Sequence, residues 1–363
     1  MLVVAYHLFE SYYHGATNQP INHGYLAVDF FFALSGFVIG YAYDDRWDRI
    51  SLGNFVKRRL IRLHPMVILG TLIGAIFFYF GACPSFPQIG DTPWHMVLLV
   101  MLWGFTLIPM PTSMDIRGWQ ETNPLDGPAW SLQWEYLANL LYALIFRHLS
   151  KIALAACVAC FAVLTVMLCL NIDLLGVLSE RSWASYTVVG GWCLTPGQLQ
   201  VGFTRLLYPF FSGLLLARMG TFIKVKGGFW WCSFAIIILL GMPWMGLETE
   251  GTDRWSNGLY EAICILVFFP LIVATGAGSS VRGGKSKAIN QFLSDISYPL
   301  YITHYPLVYM QMGWADQHKD LPLSTHILVA VFTFILSILI AYASFKLYDL
   351  PVREWLKHRL FKN

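Results

Sequence analysis

The chain has 363 residues, 56% of them hydrophobic and 12% charged, with a mean hydropathy of +0.55. Ordinary soluble domains carry about 25% charged residues, so the composition excludes a disordered or fibrous chain and argues against a soluble enzyme. A net charge of +3 is too small to imply a nucleic-acid partner. Apolar runs at about 1–14, 24–43, 66–82, 94–108, 130–147, 151–172, 203–219, 229–246, 258–276, 296–313 and 325–348 predict eleven helices. The first, MLVVAYHLFESYY, supplies about 14 residues where a crossing needs about 20. Either this helix is short or the chain begins partway through it.

Positive charge tests the number of crossings, because Lys and Arg near helix ends stay on the cytoplasmic side. Of 24 such residues, 19 fall in the stretches 44–65, 147–151, 218–228, 277–295 and 346–363. The segments between them carry Asp91, Asp115, Glu121, Asp126, Asp173, Glu180, Glu248, Glu250 and Asp253. Neighbouring basic stretches on one side require an even number of crossings between them. Three runs separate the first pair, so one must fail to cross. Run 94–108 is the shortest and lies between proline-rich flanks, which marks it as re-entrant or interfacial. The expected fold is an all-α polytopic membrane bundle, a single domain over residues 1–363, with about ten transmembrane helices, one re-entrant or interfacial helix and both termini inside. No internal repeat is evident, and seven scattered cysteines lack metal-ligand spacing, so no metal is expected.

Ionisable groups inside a membrane point to function. Glu10, Asp29, Glu135, Glu261, His7 and His304 qualify. On this topology Asp29 and Glu135 lie about 7–8 Å from the outer side and His7 roughly 10 Å. That shared layer permits an imidazole base oriented by a carboxylate; hydrogen-bonded core residues are the competing reading. Glu10 and Glu261, near helix ends, are read as reaching the interface. In NFVKRRLIRLHP, the residues Arg58, Arg59 and Arg62 suit either an amphipathic helix on anionic lipid or an anion clamp for a phosphorylated cosubstrate. Pro65 is expected to end that segment. Ser35 and Gly36 read as close-packing residues. Walker A, GxGxxG, HExxH and GxSxG motifs are absent.

Six separated segments, in order, resemble the acyltransferase 3 family of integral membrane proteins. They are VVAYH around His7, YLAVDFFFALSGFVIG (25–40), FVKRRLIRLHP (55–65), GPAWSLQWEYLANLLYAL (127–144), ISYPLYITHYPLV (296–308) and YDLPVREW (348–355). The resemblance implies a protein of about ten spans in the bacterial cytoplasmic membrane. Its reaction would move an acyl group, usually acetyl from acetyl-CoA, to a hydroxyl of a cell-surface or exported carbohydrate, a lipid-linked saccharide or another small acceptor. Carried onto this chain, it points to His7, Asp29, Arg59, Arg62, Glu135 and His304; the mechanism expected from these has His7 as base with Asp29 or Glu135 orienting it, and Arg58, Arg59 and Arg62 on the acyl-CoA phosphates. Trp130, Ser131, Tyr298 and His304 complete the motifs. The chain has Ala27 where the family has glycine. The arginine that the family places before the first-helix histidine falls upstream of Met1, so the chain is a fragment, has a misassigned start or lacks that residue. A transporter or flippase for an acylated or anionic sugar and a catalytically inactive homologue are the alternatives.

Overall fold

The computed structural model describes residues 1–10, 12, 21–220, 222–245, 254–280 and 283–361, and every named regular element among them is helical. In chain order these are α1 (Leu2–Phe9), α2 (Ala27–Tyr43), α3 (Leu52–Ile76), α4 (Pro87–Asp91), α5 (Trp94–Gly104), α6 (Trp130–Leu144), α7 (Lys151–Cys169) and α8 (Pro196–Met219). There follow α9 (Gly228–Gly241), α10 (Trp255–Ile263), α11 (Phe269–Gly278), α12 (Gly284–Thr303), α13 (Tyr305–Gln317), α14 (Leu323–Ser344) and α15 (Leu350–Leu360). Single π turns join α10 to α11 and α14 to α15. Glu248, Glu250 and Asp253, three of the expected outer acids, lie outside the described residues.

Among the described residues, six helices are long and apolar enough to cross a membrane: Gly24–Arg49, Leu52–Ile76, Lys151–Cys169, Pro196–Met219, Trp255–Gly278 and Leu323–Leu360. The chain is therefore a polytopic helical membrane protein. Other runs of the expected ten are shorter or broken. α5, in the run read as non-crossing, has 11 residues, or roughly 16 Å at 1.5 Å per residue. α9 has 14 residues and α6 has 15. Run 296–313 is interrupted at His304, because Pro306 at the start of α13 has no N–H for the carbonyl one turn earlier.

Pro65 does not end its segment. Ser51 caps α3 by accepting the Asn54 N–H at 3.2 Å, and the helix continues unbroken for 25 residues. A mid-helix proline costs about 3 kcal/mol. Burial of Phe55, Ile61, Leu63, Met66 and Val67 along this helix offsets that cost.

The chain forms two compact units. The first comprises Met1–Gly15, Ser51–Gln133 and Ala288–Asn363, and the second Ala16–Ile50 and Trp134–Lys287. In the first, α1 packs on α13 and α14, while α5, α13 and α15 pack on α3. Val4, Leu8, Leu300, Tyr305, Val308, Tyr309 and Met312 share one core cluster there. In the second, α2 lies along α8 and α7 packs on α8. A Cβ on Gly36 would stand 1.8 Å from the Phe210 carbonyl oxygen, so glycine is required for this approach of α2 to α8.

Candidate active site

In the first unit, α1 brings His7 to the junction of α12 and α13. The His7 Nδ1 lies 3.0 Å from Oε1 of Glu10, a close approach without hydrogen-bond alignment. Tyr305 meets the His7 ring edge-on at 4.7 Å, and its hydroxyl donates to Oε2 of Glu10 at 3.3 Å. The imidazole of His304 is 5.5 Å from that of His7, centroid to centroid. His304 is fully buried, and its Nδ1 lies 2.9 Å from both the Leu300 and Tyr301 carbonyl oxygens. Carbonyls only accept, so this geometry assigns the proton to Nδ1 and a lone pair to Nε2. That Nε2 has no hydrogen-bond partner among the described residues.

A polar layer continues from Tyr305 through Tyr309, whose rings lie 4.6 Å apart. The Tyr309 hydroxyl donates to Oε2 of Glu121 at 2.7 Å, and the buried Arg117 guanidinium covers the same ring at 3.5 Å. Burial pushes the Glu121 carboxyl up to about 7, against the opposing pull of the Tyr309 hydroxyl and Arg117. Asp126 is 1% exposed, and both its oxygens lack hydrogen-bond partners among the described residues. Burial, aided by the nearby Glu121, raises its carboxyl well above the ordinary range. Gly127 lets this loop close on the aromatic pair: a Cβ there would lie 2.8 Å from Tyr305 and from the Tyr309 hydroxyl.

The basic residues lie on α3. Arg59 is buried, and the Arg58 guanidinium sits over the Phe361 ring at 4.9 Å. Arg62 lies within electrostatic reach of Arg59, Arg353, Asp349 and Tyr298. The Tyr298 hydroxyl donates to the Leu63 carbonyl at 2.6 Å. Three residues on, Tyr301 is 2.7 Å from the hydroxyl of buried Ser131, beside buried Trp130. Three further on lies His304. α12 thus leads from α3 to the His7 neighbourhood over six residues, a rise of roughly 9 Å.

The remaining expected site residues lie in the second unit. Asp29, fully buried, accepts from Arg205 Nη2 at 2.7 Å and Nε at 3.2 Å. Arg205 also donates to the Gly190 and Tyr25 carbonyls. Glu135 accepts from the Ser35 hydroxyl and from Asn139. Glu261 does not reach an interface; it is fully buried and accepts from Tyr25, Asn257 and the Val188 N–H. Glu10, partly exposed at the end of α1, is the carboxylate in contact with His7.

Residues 1–345 match the family model described as an acyltransferase domain. The chain is 33% identical to "Protein 2 in picA locus" of Rhizobium radiobacter over 126 residues, 33% of this chain and 64% of that protein. It is 30% identical to "Acyltransferase MdmB" of Streptomyces mycarofaciens over 129 residues, 36% of this chain and 30% of that protein. The matched region thus spans less than two thirds of either relative. No solved structure matches. The match over residues 1–345 shows that the chain belongs to the acyltransferase 3 family.

Proposed function

We propose that this protein transfers an acyl group, acetyl in the simplest case, from acyl-CoA to a hydroxyl of a carbohydrate or lipid-linked saccharide. In this reading Arg58, Arg59 and Arg62 take the phosphates of the donor, and its thioester arm follows α12 toward His7. His7 removes the acceptor hydroxyl proton as that oxygen attacks the thioester carbonyl. The C–S bond then breaks, and the proton passes from His7 to the departing thiolate. Glu10, 3.0 Å from Nδ1 of His7, stabilises the imidazolium by its charge, and the Tyr305 hydroxyl restrains Glu10. Base catalysis of this kind contributes about 10²–10⁴-fold. Asp29 and Glu135 take framework roles in the second unit. The protein sits in the bacterial cytoplasmic membrane with ten crossings and both termini cytoplasmic, so the basic end of α3 meets cytoplasmic acyl-CoA.

The observation carrying this reading is the 3.0 Å approach of His7 to Glu10, beside a second histidine whose tautomer is fixed. The test is acyl transfer from radiolabelled acetyl-CoA to an oligosaccharide by the purified full-length protein. His7→Ala is expected to abolish labelled product, and retained turnover would refute the assignment of His7.

A further inference from the structure

α15 begins after residue 345, where the family match ends, yet it packs on α3. The π turn at Phe345–Asp349 adds a residue to the helical ladder just before it. Within that turn Leu347 is 79% exposed while Asp349 is 1% exposed. The Asp349 Oδ2 accepts from Arg353 Nη1 at 2.7 Å. Its Oδ1 and the Arg353 Nε are buried without hydrogen-bond partners among the described residues. Asp349 lies within electrostatic reach of Arg353, Arg62 and Lys357. Arg62 in turn lies within reach of Arg59 and Arg353. Arg62, Arg353 and Lys357 therefore lie around one carboxylate, with Arg59 beside Arg62.

Arg59 and Asp349 are buried while Arg62 and Lys357 are exposed, so the like charges repel one another at a site a dissolved anion can reach, and a bound anion relieves that repulsion. Guanidinium forks match phosphate oxygens in pairs, and an ammonium adds a point charge. We propose that α15 completes a phosphoanion clamp in which Arg353 and Lys357 join Arg59 and Arg62, with Asp349 as the positioning residue for Arg353. Two sources present this chemistry: the nucleotide head of the acyl donor and an anionic lipid headgroup. The assignment to the nucleotide rests on the function proposed above; the clamp itself does not.

The test uses full-length protein in nanodiscs of neutral lipid, with adenosine 3′,5′-bisphosphate as the probe. Arg353→Gln and Lys357→Gln are each expected to weaken nucleotide binding about tenfold, as loss of one charge-assisted contact does. Asp349→Asn weakens it through misplacement of Arg353, so its effect disappears in the Arg353→Gln background. Lys357 is exposed, so its variant keeps the test valid if Arg353→Gln fails to fold. His7→Ala, which stops transfer, leaves nucleotide binding unchanged. A parallel arm measures association with vesicles containing phosphatidylglycerol. If the wild type ignores the nucleotide while Arg353→Gln and Lys357→Gln lose vesicle association, the clamp stands with a lipid ligand and the donor reading fails. If both variants match the wild type in both arms, the clamp is overturned, whereas loss of nucleotide binding by Arg59→Gln and Arg62→Gln alone would leave the donor reading intact.

Discussion

Nδ1 of His7 and Oε1 of Glu10 stand 3.0 Å apart, one helical turn from each other at the end of α1. The pair is local in sequence, so α1 needs no other element to assemble it. What another element supplies is restraint, since the Tyr305 hydroxyl from α13 donates to the second oxygen of Glu10. Glu10→Gln keeps the volume and removes the charge. It is expected to lower kcat about 10²-fold, the cost typical of a mispositioned catalytic group, with little change in the KM for acetyl-CoA. Steady-state kinetics in which kcat is unchanged would show that Glu10 does not orient the base.

His304 separates two jobs between its two nitrogens. Nδ1 faces carbonyls, and Nε2 is buried without a partner among the described residues. An asparagine amide reaches about as far as Nδ1 and can still donate to the backbone, but it offers nothing at the Nε2 position. His304→Asn is therefore expected to unfold at nearly the wild-type temperature while losing about tenfold in kcat/KM, the scale of one lost hydrogen bond. Equal losses of melting temperature and activity would assign His304 to the core alone.

The sequence pattern made the helical class and most helix positions legible, because apolar runs report burial in lipid directly. It misled at Pro65, where propensity favoured a stop and packing carried α3 through. The selection of acids and histidines as intramembrane candidates passed over the bases. Five Lys and Arg lie outside the basic stretches, namely Arg117, Arg181, Arg205, Arg254 and Lys319. Arg117, Arg181 and Arg205 are buried, each at 2–3% exposure. A basic residue that breaks the charge asymmetry of a membrane chain is thus a readable signal. Which acid it meets is not readable, because Asp29 and Arg205 are 176 residues apart.

The Asp29–Arg205 pair predicts a stability effect distinct from catalysis. Both side chains are buried, at 0% and 1% exposure, and the guanidinium is held by Nε and Nη2 together. Removing one partner leaves the other charged and uncompensated, which costs about 3–5 kcal/mol. Asp29→Asn and Arg205→Met should each lower the unfolding temperature in detergent, and the double variant should lose less than the sum. Residual activity per folded molecule should stay near wild type in Asp29→Asn. A folded Asp29→Asn protein without turnover would return Asp29 to the reaction.

Glu121 makes stability depend on pH in a definite direction. Its folded-state carboxyl titrates near 7, raised mainly by burial, against an ordinary value of 4.5. The folded protein therefore holds this proton more tightly than the unfolded chain. The resulting stabilisation is complete below about 4.5 and is lost as the pH rises through about 7. Asp126, raised in the same sense, reinforces the trend. Glu121→Gln supplies a permanently neutral side chain that still accepts the Tyr309 hydroxyl. Its unfolding temperature should match the wild type near pH 4.5 and exceed it at pH 8, flattening the slope between them. Thermal unfolding across that range checks the sign: a wild type that gains stability from pH 5 to 7, with Glu121→Gln parallel to it, would mean that Glu121 is ionised in the folded protein and that Arg117, rather than burial, sets its state.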